Sequence, residues 1–201
     1  MVKIKDEYFD VDQFLKEIHA ALLRDYTQGV LFSSQQLDRK PAPIDSKIVD
    51  LLAEISLNLI KGVTKEMSKR ITMTIQQGIL EGKTNQQIAE DLDSIFDKSN
   101  PTRFNYEERL NAVARTERQR ALNQGAFDNA VNTGATKKYL AVVMDNRTSC
   151  ICGDIFSGKY GSPDDAIPID EEFEGTCNGK VYVGQKPPFH PHCRTGLRFI
   201  L

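Results

Sequence analysis

The chain has 201 residues, 40% hydrophobic and 27% charged, close to globular averages, so a packed core is expected and disorder is not. A formal net charge of -2 gives no global electrostatic reason to bind nucleic acid, a membrane surface or an acidic partner, and any such contact must be local. The opening residues, MVKIKDEYFDVDQFL, carry charges where a signal peptide needs an apolar core, and no apolar run approaches the roughly 18 to 20 residues of a membrane span, so a cytosolic chain without a membrane segment is expected.

From Val11, the residues Phe14, Leu15, Ile18, Leu22 and Tyr26 recur at helical spacing and predict an amphipathic helix to about Gly29, within an N-terminal segment 1–32. The stretch 33–46 carries two prolines and several polar residues and reads as a linker that detaches this helix. Its apolar face, Phe14, Leu15, Ile18 and Leu22, would then need a partner to cover it. Helical spacing restarts at Ile48, Leu51, Leu52, Ile55 and Leu59. It continues past Gly62 through Val63, Met67, Ile71, Ile75 and Ile79, as one long helix with a weak point or as two. Thr84 stands three residues before Gln87, the spacing of a capping box, ahead of Ile88, Leu92 and Ile95. After Pro101, Asn105 and Glu108 offer a second capping box for a long helix ending near Gly134, which closes a helical region 47–135. Ala112, Ala114, Ala121, Ala126 and Ala130 in that helix admit close approach of another.

Beyond Gly134 the pattern changes. Lys137 to Asp145 is a short apolar run with β-branched residues and reads as a buried strand; Lys180 to Val183 and Leu197 to Leu201 read as two more. The fold class expected is α+β, a mainly helical N-terminal two-thirds followed by a small loop-rich antiparallel β module over 136–201.

All four cysteines, Cys150, Cys152, Cys177 and Cys193, fall in this last part. In a reducing compartment they are expected as thiols or metal ligands and not as disulfides. In an extended segment residues i and i+2 point to one side, so Cys150 and Cys152 would present both sulfurs to one ion, with His190, His192 and Cys193 opposite on a loop stiffened by prolines. Zinc takes four such ligands, and Cys150, Cys152, His190 and Cys193 are the candidate set. Cys-x-Cys is less usual than Cys-x-x-Cys for this purpose, and the alternative is that the thiols pack as small apolar groups while the histidines cap turns. Asp145 and Arg147, two residues apart, read as a turn-stabilising ion pair. Arg109, Arg115, Arg118 and Arg120 make the long helix locally basic, a solvated face or the one surface suited to a salt-sensitive DNA contact.

The ordered motifs of the second half resemble the C-terminal domain of the MuF-type minor head proteins of tailed bacteriophages, also called head morphogenesis proteins. The elements that carry the resemblance are Ala114 to Glu117 with Arg115 and Thr116, the Gly134-Ala135 turn, Asp145 to Thr148 with Arg147, then Cys152, and finally Pro187 to Arg194 with Pro188. The resemblance runs from about Gly78 to the C-terminus. It implies a virion component present in few copies, associated with the portal or the capsid interior, assisting head assembly or genome delivery, with no enzymatic role through this domain. It also implies portal or other head proteins as partners, and the host cytoplasm as the location during assembly. Many relatives carry cysteines at the positions of Ser149 and Thr195, whereas Cys150 and Cys177 lie off that pattern, so a metal would have to recruit Cys150, His192 or Cys177. An HNH-type metal-dependent nuclease with His190 or His192 as base is the alternative. Against it stand the missing histidine–asparagine pair and the acidic stretch SPDDAIPIDEEFEG, which repels DNA.

Overall fold

The computed structural model describes residues 11–96, 106–156 and 159–201, except for the side chains of 11–15, 96, 106, 107, 110, 155 and 156. Four long or medium helices come first: α1 (Val11–Leu37), α2 (Ser46–Leu80), α3 (Asn85–Phe96) and α4 (Tyr106–Asn132). They are followed by β1 (Lys137–Ala141), a short α5 (Cys150–Phe156), β2 (Ile167–Pro168), β3 (Phe173–Cys177), β4 (Lys180–Gly184) and β5 (Gly196–Ile200). The fold is α+β, helices first and small antiparallel sheets last. Contacts divide the chain into two compact units, Met1–Glu54 with Arg115–Leu201, and Ile55–Ala114.

In the larger unit, β1 lies between β2 and β5, antiparallel to both, with Lys137 opposite Ile200 and Ala141 opposite Gly196. Strand alternation sends Leu140, Leu197 and Phe199 to one core together with Phe173, Cys152 and Cys193. β3 and β4 form a separate hairpin whose turn, Asn178-Gly179, holds both residues at positive φ. Asn-Gly is the pair that such a two-residue turn selects.

The first helix is not detached. It runs eight residues past Gly29, to Leu37, and the connection to α2 is 38–45 instead of 33–46. Ser33, the first residue of the expected linker, is packed against α4: it is buried, and its hydroxyl donates to the Val30 carbonyl and accepts from Asn129 Nδ2 at 2.7 Å. Asn129 Oδ1 in turn accepts from the Ala42 amide, and Tyr26 donates to Asp128 at 2.8 Å. A Cβ added at Gly29 would collide with the Leu122 carbonyl, and one at Gly125 with the Tyr26 carbonyl, so the two backbones meet where neither helix carries a side chain. Ala121, Ala126 and Ala130 complete the seam, fully or almost fully buried. Leu22, expected on a free docking face, sits in the core with Tyr26, Val30 and Val49, and Ile18 packs against the same cluster. The side chains of Phe14 and Leu15 lie outside the described residues.

In the smaller unit the expected capping box is formed: the Thr84 amide donates to Gln87 Oε1 at 2.9 Å, and the Gln87 amide to Thr84 Oγ1 at 3.3 Å. α2 is unbroken through Gly62, and Asn105 lies outside the described residues. β1 stops at Ala141, short of Asp145, because the turn beyond it captures the backbone: Thr148 Oγ1 donates to the Val143 carbonyl and accepts from the Asp145 amide.

Candidate metal centre

The cysteines sit where α5 meets the loop before β5. Ser149 stands at the start of α5, its hydroxyl accepting from the Cys152 amide at 3.2 Å as a cap does. A helix turns about 200° over two residues, so Cys150 and Cys152 face opposite ways. The expectation that both serve one ion fails on this point. Cys152 points inward, whereas exposed Cys150 is joined to Cys177, at the end of β3, by a disulfide with a Cα–Cα distance of 5.7 Å. The expectation of four thiols is corrected as well. Cys150 and Cys177 are committed to each other, and neither can ligate an ion while the bond stands.

Three ligand atoms do converge. Cys152 Sγ, Cys193 Sγ and a ring nitrogen of His190 lie within 4.8 Å of one another. His190 Nδ1 is 2.7 Å from the Pro191 carbonyl, which can only accept, so in the neutral ring Nδ1 carries the proton and Nε2 the lone pair. That lone pair faces Cys152 Sγ at 2.9 Å and Ser149 Oγ at 2.8 Å. Fixing one nitrogen on a backbone carbonyl to free the other is how proteins orient an imidazole ligand. The two sulfurs are 3.8 Å apart, which suits two corners of a tetrahedral thiolate site. The bond from Cys152 draws the Cys193 thiol below its usual value, and that same bond, with burial, pushes Cys152 up. A cavity of about 20 Å³, enough for one small occupant, is lined by Ser149, Cys152, His190 and Thr195 among others. The donor set fits a metal ion.

The motif residues frame this group. Arg194 Nη1 and Nη2 donate to the two carboxylate oxygens of Asp145 at 2.8 and 2.6 Å, pinning the turn after β1 to the loop before β5. Arg194, and after it the Arg147 amide, hold the Asp145 carboxyl well below the usual carboxylate range. The expected pair of Asp145 with the Arg147 side chain is present at a looser 3.6 Å, and Arg147 is largely exposed. Thr116 on α4 accepts from the His192 amide at 3.0 Å, and buried Glu117 accepts from Arg120. Pro188 follows Pro187 through a cis peptide bond. Arg115 is exposed on α4.

Four residues of the site carried no metal-ligand signal. Ser149 and Thr195, noted in the sequence only as departures from a cysteine pattern, both lie against Cys152, Thr195 Oγ1 at 3.3 Å. Gln119 and Asn123 on α4 both donate to the Thr195 carbonyl, and Asn123 Oδ1 accepts from the Leu197 amide. A polar asparagine nearly five turns into an alanine-rich helix was the available clue.

A family described as Phage Mu protein F like protein matches residues 69–198. The chain belongs to this family. The match starts nine residues before Gly78 and contains every motif residue from Arg115 to Arg194. The Phage Mu protein F like family is one of head morphogenesis proteins, structural rather than catalytic, so the chain is assigned to the phage head, with other head proteins as its partners. No curated protein and no solved structure matches it. Among the described residues no helix is long and apolar enough to cross a membrane. The nuclease alternative gains nothing from the family match.

Proposed function

We propose that the protein is a minor structural component of a tailed-phage head, associated with the portal or the capsid interior, where it assists head assembly or genome delivery after folding in the host cytoplasm. The observation that carries this reading is the family match over residues 69–198. The engagement of its motif residues supports it: Asp145 with Arg194, Thr116 with the His192 amide and Glu117 with Arg120 hold parts of the module together. Residues so engaged serve a scaffold better than a reaction. A zinc ion on Cys152, His190 and Cys193 would add a cross-link between α5 and the 190–193 loop, supplying stability to a module with few large apolar groups.

Docking on the head partner falls to the first turns of α1, at Phe14, Leu15 and the half-buried Ile18. Leu22, one turn on, serves the core. The test is incorporation of the chain into particles. Phe14→Asp with Leu15→Asp should yield folded protein that is absent from purified particles, whereas incorporation equal to that of the unmodified chain sinks the docking assignment.

A further inference from the structure

The larger unit contains a second cavity, of about 360 Å³, which shares His192 and Arg194 with the cavity at the metal centre. Its lining brings Arg115 and Arg118 from α4 together with His192 and Arg194 from the loop, and Asp25 is the one carboxylate among its lining residues. Arg115 and Arg118 are three residues apart and share a helical face. His192 has φ of 60°, a conformation a non-glycine residue adopts only when the surroundings impose it, and here the Thr116 hydroxyl on α4 holds its amide.

The cations are only partly neutralised. Asp25 takes two hydrogen bonds from Arg118, at 2.7 and 3.1 Å, and Asp145 takes two from Arg194, yet the Arg118 side chain remains more than half exposed. Arg115 has no ion-pair partner among the described residues. Of the three guanidiniums that line the concave site, Arg118 and Arg194 are each engaged by one carboxylate, which leaves Arg115 as the cation open to an added anion, and the guanidinium fork matches a tetrahedral oxyanion with several acceptor oxygens. The volume exceeds that of one phosphate, leaving room for substituents on it.

We propose that this cleft binds a phosphate group, with Arg115, Arg118 and His192 as the contacting residues and Arg194 as the cation behind them. Free phosphate and a nucleic-acid phosphodiester present the same chemistry. The site does not depend on the head assignment.

The full chain is titrated with inorganic phosphate, and separately with a short single-stranded oligonucleotide at low salt, while amide signals are followed by 1H–15N NMR. Phosphate should move the signals of Arg115, Arg118, His192 and Arg194, and Arg115→Ala should weaken binding about tenfold, the effect of one charge-assisted hydrogen bond. Because Arg115 has no ion pair to lose, thermal unfolding of the variant should match the wild type, and Arg115→Gln serves if it does not. Arg39→Ala, on the exposed turn after α1, should bind as the wild type does. Oligonucleotide binding that needs Arg115 and is displaced by phosphate assigns the site to phosphodiester; phosphate binding alone assigns it to the free ion. Absence of shifts at these residues, or shifts that persist unchanged without Arg115, overturns the proposal.

Discussion

Lys138, in the middle of β1, is completely buried, and its ammonium finds no hydrogen-bond acceptor among the described residues. It lies instead over the rings of Phe127 and Phe173, each 5.2 Å away. Burial, reinforced by neighbouring Lys186, lowers its pKa to about 8 from an ordinary 10.5. The unfolded chain therefore binds more protons than the folded one between those values, and the charged lysine destabilises the fold most below about pH 8. Stability should rise as pH climbs from about 8 to 10.5. Lys138→Met, which keeps the volume without the charge, should gain on the order of 2 kcal/mol at pH 7 in urea unfolding, with the gain shrinking by pH 10. No gain at pH 7 would show that the two rings repay the desolvation in full. At the metal centre, the purified chain should carry one zinc per molecule by elemental analysis, released in acid as the ligands take up protons. Cys193→Ser and His190→Ala should each abolish it and melt below the zinc-loaded wild type, and zinc retained at one per molecule by either variant would contradict the ligand set. Of the four ligands expected from the sequence, Cys152, His190 and Cys193 converge and Cys150 does not, so the three that converge were legible as residue types. Ser149 and Thr195 were not, because a hydroxyl becomes part of such a site only through what the fold sets beside it.

At the scale of elements, periodicity was a good guide wherever one helix face met the core, and the Thr84–Gln87 box marked the start of α3 as its spacing suggested. It failed in the stretch 33–46. There, polar Ser33 and Asn129 hydrogen-bond to each other inside the α1–α4 seam, and polar composition was mistaken for exposure. It failed again at Cys150 and Cys152, where seven residues formed a helix in place of an extended segment, sending one thiol inward and the other to the hairpin. β3 was missed although Asn178-Gly179 is a hairpin signal, because FEGTC is poor in β-branched residues and reads as loop. The disulfide ties α5 to that hairpin across 27 residues of sequence, a closure expected to stabilise the fold by on the order of 3 kcal/mol. A reductant should lower the urea midpoint of the wild type to that of a Cys150→Ala, Cys177→Ala double variant. A midpoint indifferent to reductant would mean that the bond is absent in solution.

For the whole molecule, the assignment to the phage head rests on the family match over 69–198. The larger unit, into which Met1–Glu54 and Arg115–Leu201 fold together, shows how distant parts of the sequence make one body: Arg118 meets Asp25, and Gln36 reaches the Phe199 carbonyl. Such pairings have no signature in local sequence, since the residues involved lie 93 and 163 positions apart. Family motifs were legible because each is short and ordered; the partner is not, because docking leaves no fixed pattern in the helix that performs it. The central claim, a minor structural protein of the head, is tested most directly by quantitative mass spectrometry of purified phage particles, comparing the abundance of this chain with that of the portal subunit. The account predicts a reproducible ratio at or below that of the portal. Complete absence of the chain from mature particles would contradict it.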